Sequence, residues 1–211
     1  MDMETKQKDI IKLGTLGESK VGKTNLSNVF LGNKFDEEEL STIGVGNLLK
    51  KIEIKYEEKK KQISLKIWDT AGQERFKAVA TQYIKSCDGL LIVYAVNDRT
   101  SFEKIEEWLK EVEEKKNTNN KVPLVLIGNK IDLENERVVS KDEGEKLAKR
   151  YGIMFYECSA KSNINVCEAF QYLIDSCVEI HHDDIFNAIK KININNEKVD
   201  NNCCKGNKKK K

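Results

Sequence analysis

Gly17-Glu18-Ser19-Lys20-Val21-Gly22-Lys23-Thr24 fits the pattern G-x-x-x-x-G-K-[ST]. A loop of this kind joins a strand to a helix and turns its backbone N–H groups toward phosphate oxygens. Its lysine reaches the terminal phosphates and its last hydroxyl holds Mg²⁺. The flanks supply the required context. Ile10–Leu16 reads as a strand, with Gly14 and Thr15 interrupting its apolar run, and Lys23–Phe30 reads as a helix. A glycine inside a strand either weakens it or marks a close approach of backbone. The stretch places phosphates but does not say which base they carry.

Working outward, an acidic segment, Phe35–Ser41, leads to Ser41-Thr42-Ile43-Gly44. A strand over roughly Leu48–Tyr56, a charged turn Glu57–Lys61 and a strand Ile63–Trp68, apolar at 63, 65 and 67, predict an antiparallel hairpin. The hairpin ends in Asp69-Thr70-Ala71-Gly72-Gln73, and a mixed stretch to Lys85 is expected to be partly helical. Gly89–Val96 is a buried strand. Ser101–Lys116 is an amphipathic helix whose apolar face is Phe102, Ile105, Trp108, Leu109 and Val112. Val122–Ile127 is a further strand, followed by a helix Lys141–Tyr151, a short strand Ile153–Glu157 and a long helix Val166–Ile180. Strands alternating with helices argue an α/β fold with a mostly parallel sheet covered on both faces. In such sheets ligands lie at the carboxyl ends of the strands, where the polar motifs fall.

One of these motifs chooses the base. Asn129-Lys130-Ile131-Asp132 follows a buried strand and its Gly128. A carboxylate accepting two hydrogen bonds matches the adjacent N–H donors of guanine and nothing on adenine, a discrimination worth about 1–3 kcal/mol. Asp132 is therefore the expected guanine reader. N-K-x-D alone also suits a solvated turn; a phosphate loop upstream and Ser159-Ala160-Lys161 at another strand end give it weight.

With these motifs in order over Ile10–Ile180, the chain resembles a Ras-superfamily small GTPase. The run Trp68-Asp69-Thr70-Ala71-Gly72-Gln73-Glu74-Arg75-Phe76 is most similar to the Rab family. The resemblance implies a three-layer P-loop fold, a six-stranded mostly parallel sheet with one antiparallel strand and helices on both faces. It implies a switch in intracellular vesicle trafficking that binds GTP or GDP with Mg²⁺ and hydrolyses GTP to GDP and phosphate. The loop residues Gly17, Glu18, Ser19, Lys20, Val21, Gly22, Lys23 and Thr24, with Asn25, would hold the phosphates. Thr24, Thr42 and Asp69 would serve Mg²⁺, Gly72 would donate its N–H to the γ-phosphate, and Gln73 would orient the attacking water, so that Gln73, Gly72, Lys23 and Thr42 are the expected catalytic set. Phe35 would pack on the guanine edge, Asn129 and Asp132 would hold the base, Lys130 would flank it, and Ala160, between Ser159 and Lys161, would meet its oxygen. Losing the γ-phosphate would release Thr42 and Gly72, which is the switch. No arginine of the chain is placed to enter the site, so turnover is expected to be slow until an activating protein supplies one, an effect of about three to five powers of ten.

Other positions depart from the Rab pattern. Lys20 stands where Gly, Ser or Ala is usual; a positive φ there would be strained, whereas a lysine extending into solvent would be innocuous. Gly46-Asn47 replace Asp-Phe, leaving Trp68 and Tyr83 of an aromatic surface used by Rab effectors, and Ala95 stands where Asp is common. Cys203-Cys204 resembles a double-cysteine prenylation signal, although seven residues follow it and two ordinary tail cysteines would look the same.

Composition bounds the rest. At 211 residues, 39% hydrophobic with one proline, the chain is expected to form an N-terminal extension 1–9, a GTPase domain 10–182 and a tail 183–211. Net charge is +2, and five lysines lie in Lys205–Lys211, so the remainder is +2 − 5 = −3 and no nucleic-acid partner is expected. No secretory signal, transit peptide or membrane-spanning run is evident. The six cysteines lack metal-ligand spacing and read as reduced cytosolic thiols, and His181-His182 reads as a polar helix end. A cytoplasmic monomer is expected, peripheral on the cytosolic face of an internal or plasma membrane if prenylated. Its expected partners are an exchange factor, an activating protein and effectors at the two switch segments, with the tail on the membrane. The rivals are a nucleotide-stabilised binding module that hardly cycles, another Ras-superfamily signalling GTPase, and an ATPase, which Asp132 argues against.

Overall fold

The computed structural model describes residues 9–37, 45–56, 59–70, 84–115, 122–181 and 185. Their strands are β1 (Ile10–Leu16), β2 (Val45–Tyr56), β3 (Lys59–Thr70), β4 (Gly89–Ala95), β5 (Leu124–Asn129) and β6 (Met154–Glu157), in the sheet order β2-β3-β1-β4-β5-β6. The β2–β3 pair is antiparallel and the other pairs are parallel. The helices are α1 (Lys23–Leu31), α2 (Arg99–Glu103), α3 (Ile105–Lys115), α4 (Lys141–Tyr151) and α5 over 166–181. The six-stranded, mostly parallel sheet with one antiparallel strand is the architecture that the resemblance implies.

Every residue of β4 is buried because both faces of the sheet are covered. Side chains alternate across a strand. Leu91, Val93 and Ala95 accordingly join one core with Leu26 of α1 and Phe170, Leu173 and Ile174 of α5. Leu90, Ile92 and Tyr94 join a second core with Ile105, Trp108, Leu109 and Val112 of α3 and Leu147 of α4. Burying each large apolar side chain is worth about 1.5–3 kcal/mol. Phe30 stacks on Phe170 with ring centroids 4.3 Å apart, which fixes α1 against α5.

Gly14 marks a close approach: a Cβ there would sit 2.8 Å from both Cys87 Sγ and Leu90 Cδ2. Four cysteines, Cys87, Cys158, Cys167 and Cys177, are free thiols. No helix among the described residues is long and apolar enough to cross a membrane.

Several boundaries differ from the sequence reading. The hairpin ladder runs from Val45↔Thr70 to Tyr56↔Lys59, so Lys59–Lys61 are strand and not turn. The lysine-rich end pairs its backbone in the ladder, while Lys60 Nζ meets Glu53 Oε1 at 3.1 Å and Lys61 Nζ meets Asp9 Oδ1 at 3.0 Å. The helix read as Ser101–Lys116 is divided at Lys104 into α2 and α3. It also starts earlier, since Asp98 caps the first turn by accepting from the Ser101 N–H at 3.2 Å. The strand read as Val122–Ile127 is shifted to Leu124–Asn129; the Pro123 carbonyl still accepts from Leu90 N at 3.1 Å. Ile185, beyond the expected end of the body, is fully buried, and its carbonyl accepts from Lys61 Nζ at 2.9 Å.

Candidate functional site

β1, β3, β5 and β6 deliver their following residues to one edge of the sheet. Gly17, at the end of β1, has φ +135°, and a Cβ there would lie 2.1 Å from the Val93 carbonyl oxygen, so only glycine lets the loop lie against β4. Gly22, with φ +95°, is the N-terminal residue of α1 and provides no side-chain cap. By contrast α4 is closed by a capping box between Ser140 and Glu143. The first N–H groups of α1 are thus not capped by a side chain, and such a helix start attracts anions.

Lys23 folds back over this loop. Its Nζ donates to the Gly17 carbonyl at 2.9 Å and to the Glu18 carbonyl at 2.7 Å, using two of its three donors. Burial lowers its pKa to about 8, against the opposing pull of the Asp69 and Glu18 carboxylates. An anionic ligand is what this buried cation favours.

Thr24 Oγ1 donates to Asp69 Oδ2 at 2.6 Å, and Thr15 Oγ1 lies 3.3 Å from Asp69 Oδ1. A helix hydroxyl and a strand-end carboxylate therefore converge. This oxygen set suits Mg²⁺, which takes one or two protein ligands and completes its shell with phosphate and water. No cluster of three or more His, Cys, Asp or Glu able to hold a metal occurs among the described residues.

The base motif is wired to the phosphate loop. Buried Asn129 donates through Nδ2 to the Val21 carbonyl at 2.8 Å and accepts at Oδ1 from the Ala160 N–H at 3.3 Å. A Cβ on Gly22 would lie 2.4 Å from that Nδ2, so the second loop glycine makes room for Asn129. Asp132 is held by Ser159 Oγ, which donates to Oδ1 at 2.5 Å and accepts from the Ser162 N–H at 2.9 Å. Lys130 has φ +69°, which turns the chain sharply between these two anchors. Lys161 pairs with Glu37 at 3.0 Å on the surface.

The sequence-derived residues Gly17–Thr24, Asp69, Asn129–Asp132 and Ser159–Lys161 are thus brought together. Phe35 is half-buried against the α1/α5 core. Asn25 turns its amide to the backbone of Asp36, donating to O at 2.8 Å and accepting from N at 2.9 Å. Lys20 adopts φ +64°, the strained alternative. Thr42, Gly72 and Gln73, like Tyr83, Cys203 and Cys204, lie outside the described residues. Sequence reasoning missed Trp108, whose indole N–H donates to Glu18 Oε1 at 3.2 Å. The available signal was the need of a buried indole N–H for a partner.

A glycine-rich strand-to-helix loop with a buried lysine, a hydroxyl–carboxylate pair and a positioned aspartate define a P-loop protein of the nucleotide-binding class. The Ras family model matches residues 12–179. The Ras-related protein Rab-13 of Mesocricetus auratus is 43% identical over 164 residues, 78% of each chain. Rab-8B of Bos taurus is 43% identical over 161 residues, 76% of this chain and 75% of the relative. The GTP-binding protein ypt2 of Schizosaccharomyces pombe is 38% identical over 206 residues, 96% of this chain and all of the relative. The chain belongs to the Ras family. Within it, the protein is a Rab-like small GTPase of vesicle trafficking.

Proposed function

We propose that the protein is a guanine-nucleotide switch in which the loop N–H groups and Lys23 hold the phosphates, Thr24 and Asp69 serve Mg²⁺ with Thr42, and Asp132 selects guanine. When bound, the ion neutralises charge on the phosphates. Lys23 is already poised on the Gly17 and Glu18 carbonyls, with a donor left for a phosphate oxygen. Asn129 couples the base end to the phosphate end through Val21 and Ala160, while Lys130 flanks the base, Ser159-Ala160-Lys161 lines it and Phe35 packs on its edge. Gln73 orients the hydrolytic water and Gly72 senses the γ-phosphate. Hydrolysis is slow until an activating protein supplies an arginine. Effectors read the two switch segments, and an exchange factor reloads the site. Cys203-Cys204, when prenylated, and the terminal lysines seat the protein peripherally on the cytosolic face of a membrane. The division into an extension 1–9, a GTPase domain 10–182 and a tail 183–211 belongs to the same reading, with Ile185 serving as the tail's first anchor.

The observation that carries this reading is the Asp132 carboxylate held by Ser159 at 2.5 Å beside an Asn129 bonded to the phosphate loop. Titration with fluorescent GDP tests it. Asp132→Asn is expected to weaken binding about 10- to 100-fold, the range of a lost bidentate base contact. Xanthosine diphosphate, which offers a carbonyl where guanine has its amino group, should then compete better than GDP. Equal competition by ATP against the unaltered protein would overturn the guanine assignment.

A nucleotide-stabilised module that hardly cycles is favoured by one observation, the strained Lys20 at φ +64°. Multiple-turnover GTP hydrolysis with an exchange factor and an activating protein present separates the two. Sustained turnover excludes the module.

A further inference from the structure

The phosphate loop is held in two unequal halves. Its second half is gripped by motif residues: Val21 by the Asn129 amide at 2.8 Å, and Thr24 by Asp69 at 2.6 Å. The first half, Gly17–Ser19, rests on β4 through Gly17 and is tied through Glu18 to a residue 90 positions further along the chain. That residue is Trp108, on α3. It is 4% exposed, lies in the core on the opposite face of the sheet from α1, and donates its indole N–H to Glu18 Oε1 at 3.2 Å.

Glu18 works in two directions. Its carbonyl accepts from Lys23 Nζ at 2.7 Å, while its carboxylate accepts from Trp108. The carboxylate also supplies one of the two negative charges that support the Lys23 ammonium against burial. Rotating the Glu18 side chain away from Trp108 would therefore disturb the carbonyl on which Lys23 rests and weaken one of its counter-charges. Since α1 begins without a side-chain cap, the loop takes its shape from outside contacts, and this one comes from the buried face of α3.

We propose that Trp108 is a positioning residue for the phosphate loop, acting through Glu18, so that α3 controls how fast the nucleotide leaves. The inference rests on the guanine-nucleotide reading above. It assigns a role in ligand retention to a tryptophan whose place on the apolar face would otherwise be only packing. Any partner that shifts α3 by a fraction of an ångström would act on the loop through the same bond.

The test uses the full chain loaded with methylanthraniloyl-GDP and chased with excess GDP. Trp108→Phe keeps an aromatic ring in the core and removes the donor. Release is expected to accelerate about tenfold, equivalent to about 1.4 kcal/mol. Glu18→Ala, outside the core, is expected to accelerate release to the same extent, and the double variant should be no faster than either single one. Val112→Ala, which trims the same buried face of α3 one turn away, is expected to lower the unfolding temperature while leaving release within about twofold of the unaltered protein. Unaltered release in Trp108→Phe and Glu18→Ala, additive effects, or equal acceleration by Val112→Ala would each overturn the role of Trp108. Failure of the unaltered protein to take up the labelled GDP would instead overturn the nucleotide reading itself.

Discussion

At the scale of single residues, Lys20 carries the clearest conflict between local preference and fold. The loop demands φ +64° at a position where a Cβ is present, and the left-handed region costs an L-residue about 1–2 kcal/mol. Gly17 and Gly22 meet similar demands at φ +135° and +95° without that cost. Lys20→Gly is therefore expected to raise the unfolding free energy by about 0.5–1 kcal/mol, after the greater freedom of glycine in the unfolded chain offsets part of the relief. Lys20→Ala keeps the Cβ and should give no comparable gain. Urea unfolding at fixed GDP concentration checks this, because bound ligand would otherwise shift the midpoint. Equal stability of the two variants would show that the backbone there carries no strain. The strain was legible in sequence only as a condition, since a lysine at the fourth loop position does not reveal its φ. The partners of Asn129 were less legible still. N-K-x-D announces a base reader, yet the buried amide also joins Val21 to Ala160, contacts 108 and 31 residues away in sequence.

At the scale of elements, periodicity placed β1, α1, β4 and α4 because their patterns are set locally by which face is covered. It misjudged the hairpin, whose lysine-rich end satisfies its backbone through a partner strand that no local pattern encodes. The division at Lys104 was equally hidden. Asp98 and Ser101 draw α2 back toward β4, where Ser101 Oγ lies 3.1 Å from Ala95 N and donates to Asp98 O at 2.7 Å. Inside the second core, β4 contributes Tyr94, fully buried, whose hydroxyl has no hydrogen-bond partner among the described residues. Gly128 and Gly144 exist around that hydroxyl: a Cβ on either would lie 2.7 or 2.6 Å from it. Burial raises the phenol pKa further, so no ionised form relieves the site. An unsatisfied buried hydroxyl costs about 1–3 kcal/mol, and an apolar side chain of the same shape removes that cost. Tyr94→Phe is expected to leave stability unchanged or raise it by about 1 kcal/mol, as seen by the thermal unfolding midpoint. A loss of 2 kcal/mol or more would mean that the hydroxyl is bonded in solution, for example to a buried water.

At the scale of the whole molecule, Lys61 on the hairpin joins the two ends of the described body. Its Nζ lies 3.0 Å from Asp9 Oδ1 and donates to the Ile185 carbonyl at 2.9 Å, while the Ile185 side chain enters the α1/α5 core. Ile185 thus belongs physically to the body, and the charged chain that carries Cys203-Cys204 and the lysines begins after it. This separates two properties that one truncation would confuse. A chain ending at 188 keeps Ile185 and is expected to unfold at the same urea midpoint as the full chain. A chain ending at 181 loses it and should be less stable by about 2–4 kcal/mol, the usual cost of emptying an isoleucine site. Neither truncated chain carries the five terminal lysines, each worth about 1 kcal/mol near an anionic surface at low salt. Both should therefore fail to sediment with phosphatidylserine vesicles, whereas the full unprenylated chain binds them and is released as salt rises and the charges are screened. Equal stability of the two truncated chains would remove Ile185 from the core. Vesicle binding by the chain ending at 188 would move the membrane-facing charge from the tail to the body.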